Sequence, residues 1–371
     1  MHNNLPMSHS SNKIDRFFLI SVVTLTTAGF VIFLSASLGL LAQSGASFGS
    51  VALKQAISLL IGIGFFYLFS KIKYTWLRKF ALFILVGAIA INLLLFIPRF
   101  TLHYNGASRW LIFGPLSFQP SELLKIAFVI YIAAWAYFAK DKLKTIRFGL
   151  LPYIVIMGVL SILLLVQSDT DTLVIIAVTG LVMLIVSGVR LRHMAIAGIL
   201  LGVLVVGVVL FRPYALERVK TYFNVGADTQ GSGYQINQSL IAIGSGQLTG
   251  RGFGQSIQKF GYLPQPTDDS IFAVEAEEFG FIGSILLILV NLLFAASVFR
   301  IGTRSADVFG GLLAIGVAIL IIIESFMNMA AMLGIIPLSG VPLLFVSHGG
   351  SALIITLMTA GMVANVSKYK R

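Results

Sequence analysis

The chain has no cysteine. That one absence excludes disulfides, a thiolate nucleophile and any cysteine metal site. Charge is also scarce: 11% of residues are Asp, Glu, Lys or Arg, against roughly 25% in soluble domains. Acids are the scarcer sign, with 14 Asp and Glu against 26 Lys and Arg and a net charge of +12. There is no Walker A sequence and no His/Asp/Glu cluster at metal spacing, which removes P-loop chemistry. His348 stands alone and reads as a hydrogen-bonding structural residue. No internal repeat or low-complexity segment is visible. The polar start, Met1 to Asp15, has no small-residue cleavage site before the first apolar run, so it reads as a tail before a true span.

What the chain has is apolar length. It is 57% hydrophobic, and runs of about 20 residues, each long enough for a hydrocarbon core of roughly 30 Å, recur throughout. The expected fold is an all-α polytopic membrane protein. A cytoplasmic tail (1–16) precedes one transmembrane domain (17–371) of ten spans: 17–41, 51–70, 78–98, 120–139, 148–166, 171–189, 193–211, 272–299, 308–334 and 350–367. The Gly- and Pro-punctuated segment 334–350 suits re-entrant or broken ends. An even number of spans puts both termini on one side. Seventeen of the 26 Lys and Arg fall on that side, so the positive-inside rule makes it cytoplasmic. The net charge is then topology and attraction to anionic lipid, not a nucleic-acid footprint.

The acids lean the other way. Asp169, Asp171, Glu217, Asp228, Asp268 and Asp269 fall outside, and polar chemistry is expected on that face. Its one long connection, 211–271 between spans 7 and 8, has apolar residues at near-helical spacing (Ile236, Leu240, Ile241, Ile243) and then a Gly-rich stretch. A short interfacial helix and a turn region returning to the membrane are expected. The second outer loop is also structured by its pattern, with a tight turn at Asn105-Gly106 and a helix starting at Pro120.

Five acids crowd into "YLPQPTDDSIFAVEAEEFGF". Asp268 and Asp269 precede a helix, where they could cap it, or one could act as a general base with its pKa raised beside lipid. Glu275, Glu277 and Glu278 enter the span, where acids are costly and face an interior; at least one is expected to pair with a base. Glu122 and Lys125 lie one turn apart, either as a local ion pair or lining a polar cavity. Outer Arg109, Arg212, Arg218 and Lys259 run against the charge bias and suggest an anionic ligand, a phosphorylated lipid among the candidates; Lys220 and Arg251 read as solvated charge. A transporter and a lipid-acting enzyme both fit these residues.

Four stretches carry a resemblance over nearly the whole chain: "NGASRWLIFGPLSFQPSELLKIAFVIY", "GYQINQSLIAIGSGQLTGRGFGQSIQKFGYLP", "IFAVEAEEFGFIG" and "NMAAMLGIIPLSGVPLLFVSHGGS". They resemble the SEDS family (shape, elongation, division and sporulation), which includes FtsW and RodA; "GQSIQKFGYLP" is nearer FtsW. The resemblance implies a peptidoglycan glycosyltransferase in the bacterial cytoplasmic membrane. It would polymerise lipid II at the outer face during division or elongation. A class B penicillin-binding protein (transpeptidase) and other divisome or elongasome proteins would be its partners. The family's essential acid aligns with Asp269. Arg109, Glu122, Lys125, Arg218, Gln235, Ser239 and Lys259 match positions that line the cavity, and Asp268, Glu277, Ser347 and Ser351 join them as candidate substrate contacts. No tightly bound cofactor is implied, although Mg2+ or Mn2+ could take part.

The chain departs from the family pattern at several places. Thr267-Asp268 stands where His-Thr is usual, so a second acid beside the base could raise its pKa or bind a divalent cation. Asp171 stands at a Gly position, Ala215 at a basic one, Leu344 at a Pro and His348 at a Tyr. Two other functions remain: a lipid II flippase, or a non-catalytic scaffold for the penicillin-binding protein.

Overall fold

A computed structural model describes residues 13–42, 48–97, 99, 101–104, 107–113, 116–224 and 231–369. The Asn105-Gly106 turn, Asp228 and the first part of the tail lie outside the described residues. The helices are α1 Arg16–Ser37, α2 Phe48–Lys71, α3 Tyr74–Lys79, α4 Ala81–Leu93, α5 Pro120–Ala139, α6 Leu151–Val166, α7 Thr170–Val186, α8 Leu191–Phe211, α9 Pro213–Phe223, α10 Ser232–Ser245, α11 Ile271–Thr303, α12 Val308–Met332 and α13 Gly350–Val366. Every expected span is a helix. Among the described residues, seven helices are long and apolar enough to cross a membrane; the apolar helices over Ala81–Phe96, Thr170–Val186 and Gly350–Val366 are shorter. Two of the short ones are lined by protein on most sides, as Ile175, Ala177, Leu357 and Ala360 show by being buried. A helix packed that way need not match the bilayer's full thickness.

Burial follows membrane logic. On α2 the inward residues are Gln55, Ser58, Gly62 and Ser70, while Leu53, Leu60 and Tyr67 face outward. Small and polar side chains pack against protein, and large apolar ones meet lipid. Helices α5 and α12 run through the middle and pack on each other, with Leu124, Phe128 and Ile132 of α5 and Leu313, Val317 and Leu320 of α12 all buried. At one end Arg300 donates to Asp15 at 2.7 Å and Asp15 N–H donates to Ser367 Oγ at 3.2 Å, which sets α1 beside the end of α13.

The all-α membrane fold carries one small addition. The second outer loop is a small antiparallel sheet, β1 Thr101–Tyr104, β2 Ala107–Phe113 and β3 Leu116–Phe118, in the order β1-β2-β3. The register shifts between Leu102 and His103, so the first hairpin carries an irregularity. Thr101 Oγ1 ties the sheet to the end of α4 by donating to Leu95 O at 2.8 Å. Strands form here because two close antiparallel segments pair their own backbone, which a lone extended loop cannot do. Helix α9 is a second addition: the long loop holds two helices, α9 and α10, where one was expected.

The feature that shapes the outer face is a break inside α11. Its 33 residues would span about 50 Å as a straight helix, well beyond a bilayer core. At Gly280 the backbone turns to φ 68°, ψ −165°, a region open to glycine almost alone. The break frees backbone groups, and the Gly-rich loop takes them up. Phe281 and Ile282 N–H donate to Gln247 and Leu248 C=O at 2.9 and 3.1 Å. Arg251 and Gly252 N–H donate to Glu277 and Glu278 C=O at 3.0 and 2.9 Å. Contact this close requires glycine. A β-carbon on Gly246 or Gly250 would collide with the carbonyl of Ala276 or Glu278, and Gly250 also has φ +79°. Gly250→Ala is therefore expected to destabilise the fold by about 2 kcal/mol or more. Gly158→Ala, with open space around its α-carbon, should change stability by less than about 0.5 kcal/mol. Thermal unfolding in detergent compares the two, and equal melting temperatures would refute the crossing's role.

Candidate functional site

Helix α11 begins at Ile271 with Ser270 as its cap residue and no side-chain cap, so neither Asp268 nor Asp269 does the capping that their position suggested. Their backbones are pinned instead. Asn328 of α12 donates to Asp269 O at 2.7 Å and to Val341 O, also at 2.7 Å. Ser347 Oγ donates to Asp268 O at 2.6 Å, and His348 N–H to Thr267 O at 2.7 Å. The His348 ring stacks on Phe33 with centroids 5.5 Å apart. Its Nδ1 is buried without a hydrogen bond, so packing rather than side-chain hydrogen bonding is its structural part.

The two carboxyls differ in surroundings. Asp269 is 8% exposed, and Gln235 Nε2 of α10 donates to its Oδ1 at 3.2 Å and to Ser270 Oγ at 2.9 Å. Burial pushes its pKa up to about 6, against the pull of Gln235, nearby backbone N–H groups and the Arg218 charge. Asp268 is pushed up to about 7, first by burial and then by the charge of Asp269. A carboxylate poised near 6 is a competent base around neutral pH.

Arg218 of α9 reaches this region while its Nη1 donates to Asp171 Oδ2 at 3.0 Å. Gln235, Asp268, Asp269, Arg218 and Ser347 are thus brought together. Ser239 lies one turn beyond Gln235, fully buried, with its hydroxyl on Gln235 O at 2.8 Å. Ser351 accepts Gln119 N–H at 3.3 Å and joins the start of α13 to the start of α5. Arg109 of β2 donates to Ser168 O at the α6–α7 turn.

The structure places two expected substrate contacts, Glu277 and Lys259, in the interior. Both are buried and turned inward. Glu277 accepts from Ser256 Oγ at 2.5 Å and from the N–H groups of Ile257 and Gln258 at 3.1 and 3.2 Å. Lys259 Nζ meets Glu278 Oε1 at 2.5 Å and Ser35 Oγ at 3.2 Å. An ammonium in such an interior needs its counter-ion at hand. These groups hold the loop in place. Arg251, read from sequence as solvated, leans on Glu277 at 3.3 Å.

Glu122 and Lys125 do meet, at 2.9 Å, but a third group completes them: Glu324 of α12 at 2.6 Å. All three are buried beside a cavity of about 10 Å³, the size of one water, which Leu344 also lines. Sequence reasoning missed Glu324 and Asn328. The signal was present, since an acid inside "AILIIIESFMNM" must face protein. Among the described residues no group of three or more His, Asp or Glu could hold a metal.

Known proteins now bear on this geometry. The family of cell cycle proteins that takes in FtsW, RodA and SpoVE matches residues 15–371. The chain is 35% identical, over 96% of its length and 95% of the relative's, to a probable peptidoglycan glycosyltransferase FtsW of Geobacter sulfurreducens. It is 34% identical, over 98% and 100%, to stage V sporulation protein E of Bacillus subtilis. Among solved structures, one chain of a peptidoglycan synthase complex superposes with a TM-score of 0.78 at 24% identity, covering 95% of this chain and 97% of that one. The rod shape determining protein RodA of Thermus thermophilus superposes at 0.66 with 22% identity, covering 95% and 96%.

The buried triad supplies a stability test. Lys125→Met would leave two uncompensated carboxyls and should cost about 3–5 kcal/mol. Adding Glu122→Gln and Glu324→Gln should restore most of the loss. Melting of purified variants checks this, and a Lys125→Met protein as stable as wild type would rule the triad out as a structural ion cluster.

Proposed function

The chain belongs to the FtsW, RodA and SpoVE family, and from that membership we propose that it is a peptidoglycan glycosyltransferase polymerising lipid II at the outer face of the bacterial cytoplasmic membrane. The observation that carries the assignment to particular residues is the Asp269 carboxylate, oriented by Gln235 and with its pKa raised to about 6. In the reaction, an acceptor sugar hydroxyl attacks the anomeric carbon of the donor. The new glycosidic C–O bond forms as the bond to the lipid diphosphate breaks, and the hydroxyl proton passes to Asp269 as general base. The diphosphate leaves with the bonding electrons, and a guanidinium such as Arg218 is suited to receive it by its planar fork of donors. Mg2+ or Mn2+ would enter as a companion of that diphosphate.

The outer location of the site rests on the Lys and Arg bias of the opposite loops. The matching peptidoglycan synthase complex supports an assembly of this chain with a cross-linking enzyme. We take that partner to be a class B penicillin-binding protein within the divisome or elongasome.

Asp269→Asn is expected to lower chain formation by about 10²–10⁴-fold, while Asp268→Asn retains it. The base must be ionised, and its folded pKa lies at about 6. The wild-type rate should therefore hold above that pH and fall as pH drops through it. Labelled lipid II, incubated with the protein and its partner and resolved by product length, reads both effects. Full activity in the Asp269 variant would overturn the assignment. Wild type that makes no chains with partner present would favour the flippase or scaffold reading.

A further inference from the structure

The α6–α7 turn and the first turn of α7 hold two of the outer arginines. Arg109 donates to Ser168 O and Arg218 to Asp171 Oδ2, three residues apart in sequence. Ser168 has a left-handed backbone, φ 58°, unusual for a serine. Asp169 already caps α7, accepting Thr172 N–H at 3.4 Å and Thr172 Oγ1–H at 2.9 Å. Asp171 is therefore not needed as a cap and points across to α9. Its pair with Arg218 is largely shielded, with side-chain exposures of 14% and 15%, unlike a solvated surface pair.

We propose that Asp171 is a positioning residue for glycosyl transfer: it holds the Arg218 guanidinium near Asp269 before lipid-linked diphosphate arrives. The proposal rests on the function given above. Arg218 lies near enough to Asp269 for its charge to act on that carboxyl. A nitrogen of its guanidinium faces Gly340, and its charge opposes the burial-driven rise at Asp269. Its helix is tied down nearby, where Tyr222 OH donates to Ile335 O at 2.8 Å. The arginine side chain itself has many rotamers. Holding it in one of them before binding removes an ordering cost that the substrate would otherwise meet. The guanidinium fork can serve a carboxylate along one edge and phosphate oxygens along another. Neutral Asn at 171 would remove the carboxylate charge that holds Nη1 of Arg218.

The test uses the full chain with its partner and labelled lipid II, in wild type, Asp171→Asn, Asp171→Glu, Arg218→Gln, the Asp171→Asn/Arg218→Gln double variant, and Asp269→Asn. Asp171→Asn should raise KM about tenfold, the scale of one charge-assisted contact, with kcat within about twofold. Asp171→Glu should restore KM. The double variant should match Arg218→Gln alone, because Asp171 acts only through that arginine. Unchanged KM in Asp171→Asn, additive losses in the double variant, or a kcat loss that tracks a lowered melting temperature would each overturn the proposal. A failure of the underlying function looks different: Asp269→Asn would polymerise like wild type, or wild type would not polymerise. With Asp269→Asn inactive and Asp171→Asn normal, only the role of Asp171 falls.

Discussion

Backbone hydrogen bonding in a place without water is the constraint on which the outer half of this protein depends. A helix broken inside a membrane leaves N–H and C=O groups that lipid cannot satisfy. Here the break at Gly280 is filled by Gln247, Leu248, Arg251 and Gly252, with two donors running each way. The consequence reaches the candidate base. Past the crossing, the chain runs through residues 253–270 and enters α11 only a short helix away from where it was pinned. The segment is a closed loop with both ends fixed to the same helix, so Asp269 inherits the rigidity of α11. Glu277 and Glu278 tighten the loop from inside by holding Ser256, Ile257 and Lys259.

Three buried polar systems result, and their charge balance separates structure from chemistry. Lys259 and Glu278 are matched one to one, with Ser35 completing the contact. Lys125 sits between Glu122 and Glu324 with no room beyond about one water. Both systems resemble sealed ion clusters, whose value lies in geometry more than in stability. The third system has two adjacent carboxyls and the Arg218 charge, and both carboxyls are raised well above the ordinary Asp range. Acids left in that condition are unfavourable to a fold unless something uses them.

Much of this was legible in the sequence. Hydropathy is a local property, and all ten apolar runs became helices close to the expected bounds. Pro120 opens α5 as its fixed φ requires, and α10 covers Ile236 to Ile243 as their spacing suggests. What stayed hidden depends on contacts between distant residues. The break at Gly280 reads locally as one more glycine in a packed helix, because its reason lies some thirty residues back in the loop. Glu324 looked like part of an apolar run, because its partner Lys125 is 199 residues away. An interior-facing Glu277 was expected of an acid entering a span, but its partners, Ser256 and the N–H groups of Ile257 and Gln258, depend on where the loop lies. Asp171 read as a departure from the family pattern, and only the approach of α9 gives it a partner.

The adjacency of Asp268 and Asp269 leaves a one-residue ambiguity that spacing alone cannot remove, and the surroundings of each carboxyl bear on it. Both backbones are held, by Ser347 and by Asn328. Only Asp269 has a described side-chain donor, Gln235, to fix the direction of its oxygens. Two close carboxyls titrate as a pair, and their apparent pKa values belong to the pair rather than to either residue. Burial raises both, and the repulsion between them adds to the rise at Asp268. That repulsion favours states in which the two share a single proton. A second acid at this position can therefore carry the shared proton while its neighbour is ionised, and of the two only Asp269 has its oxygens oriented by Gln235.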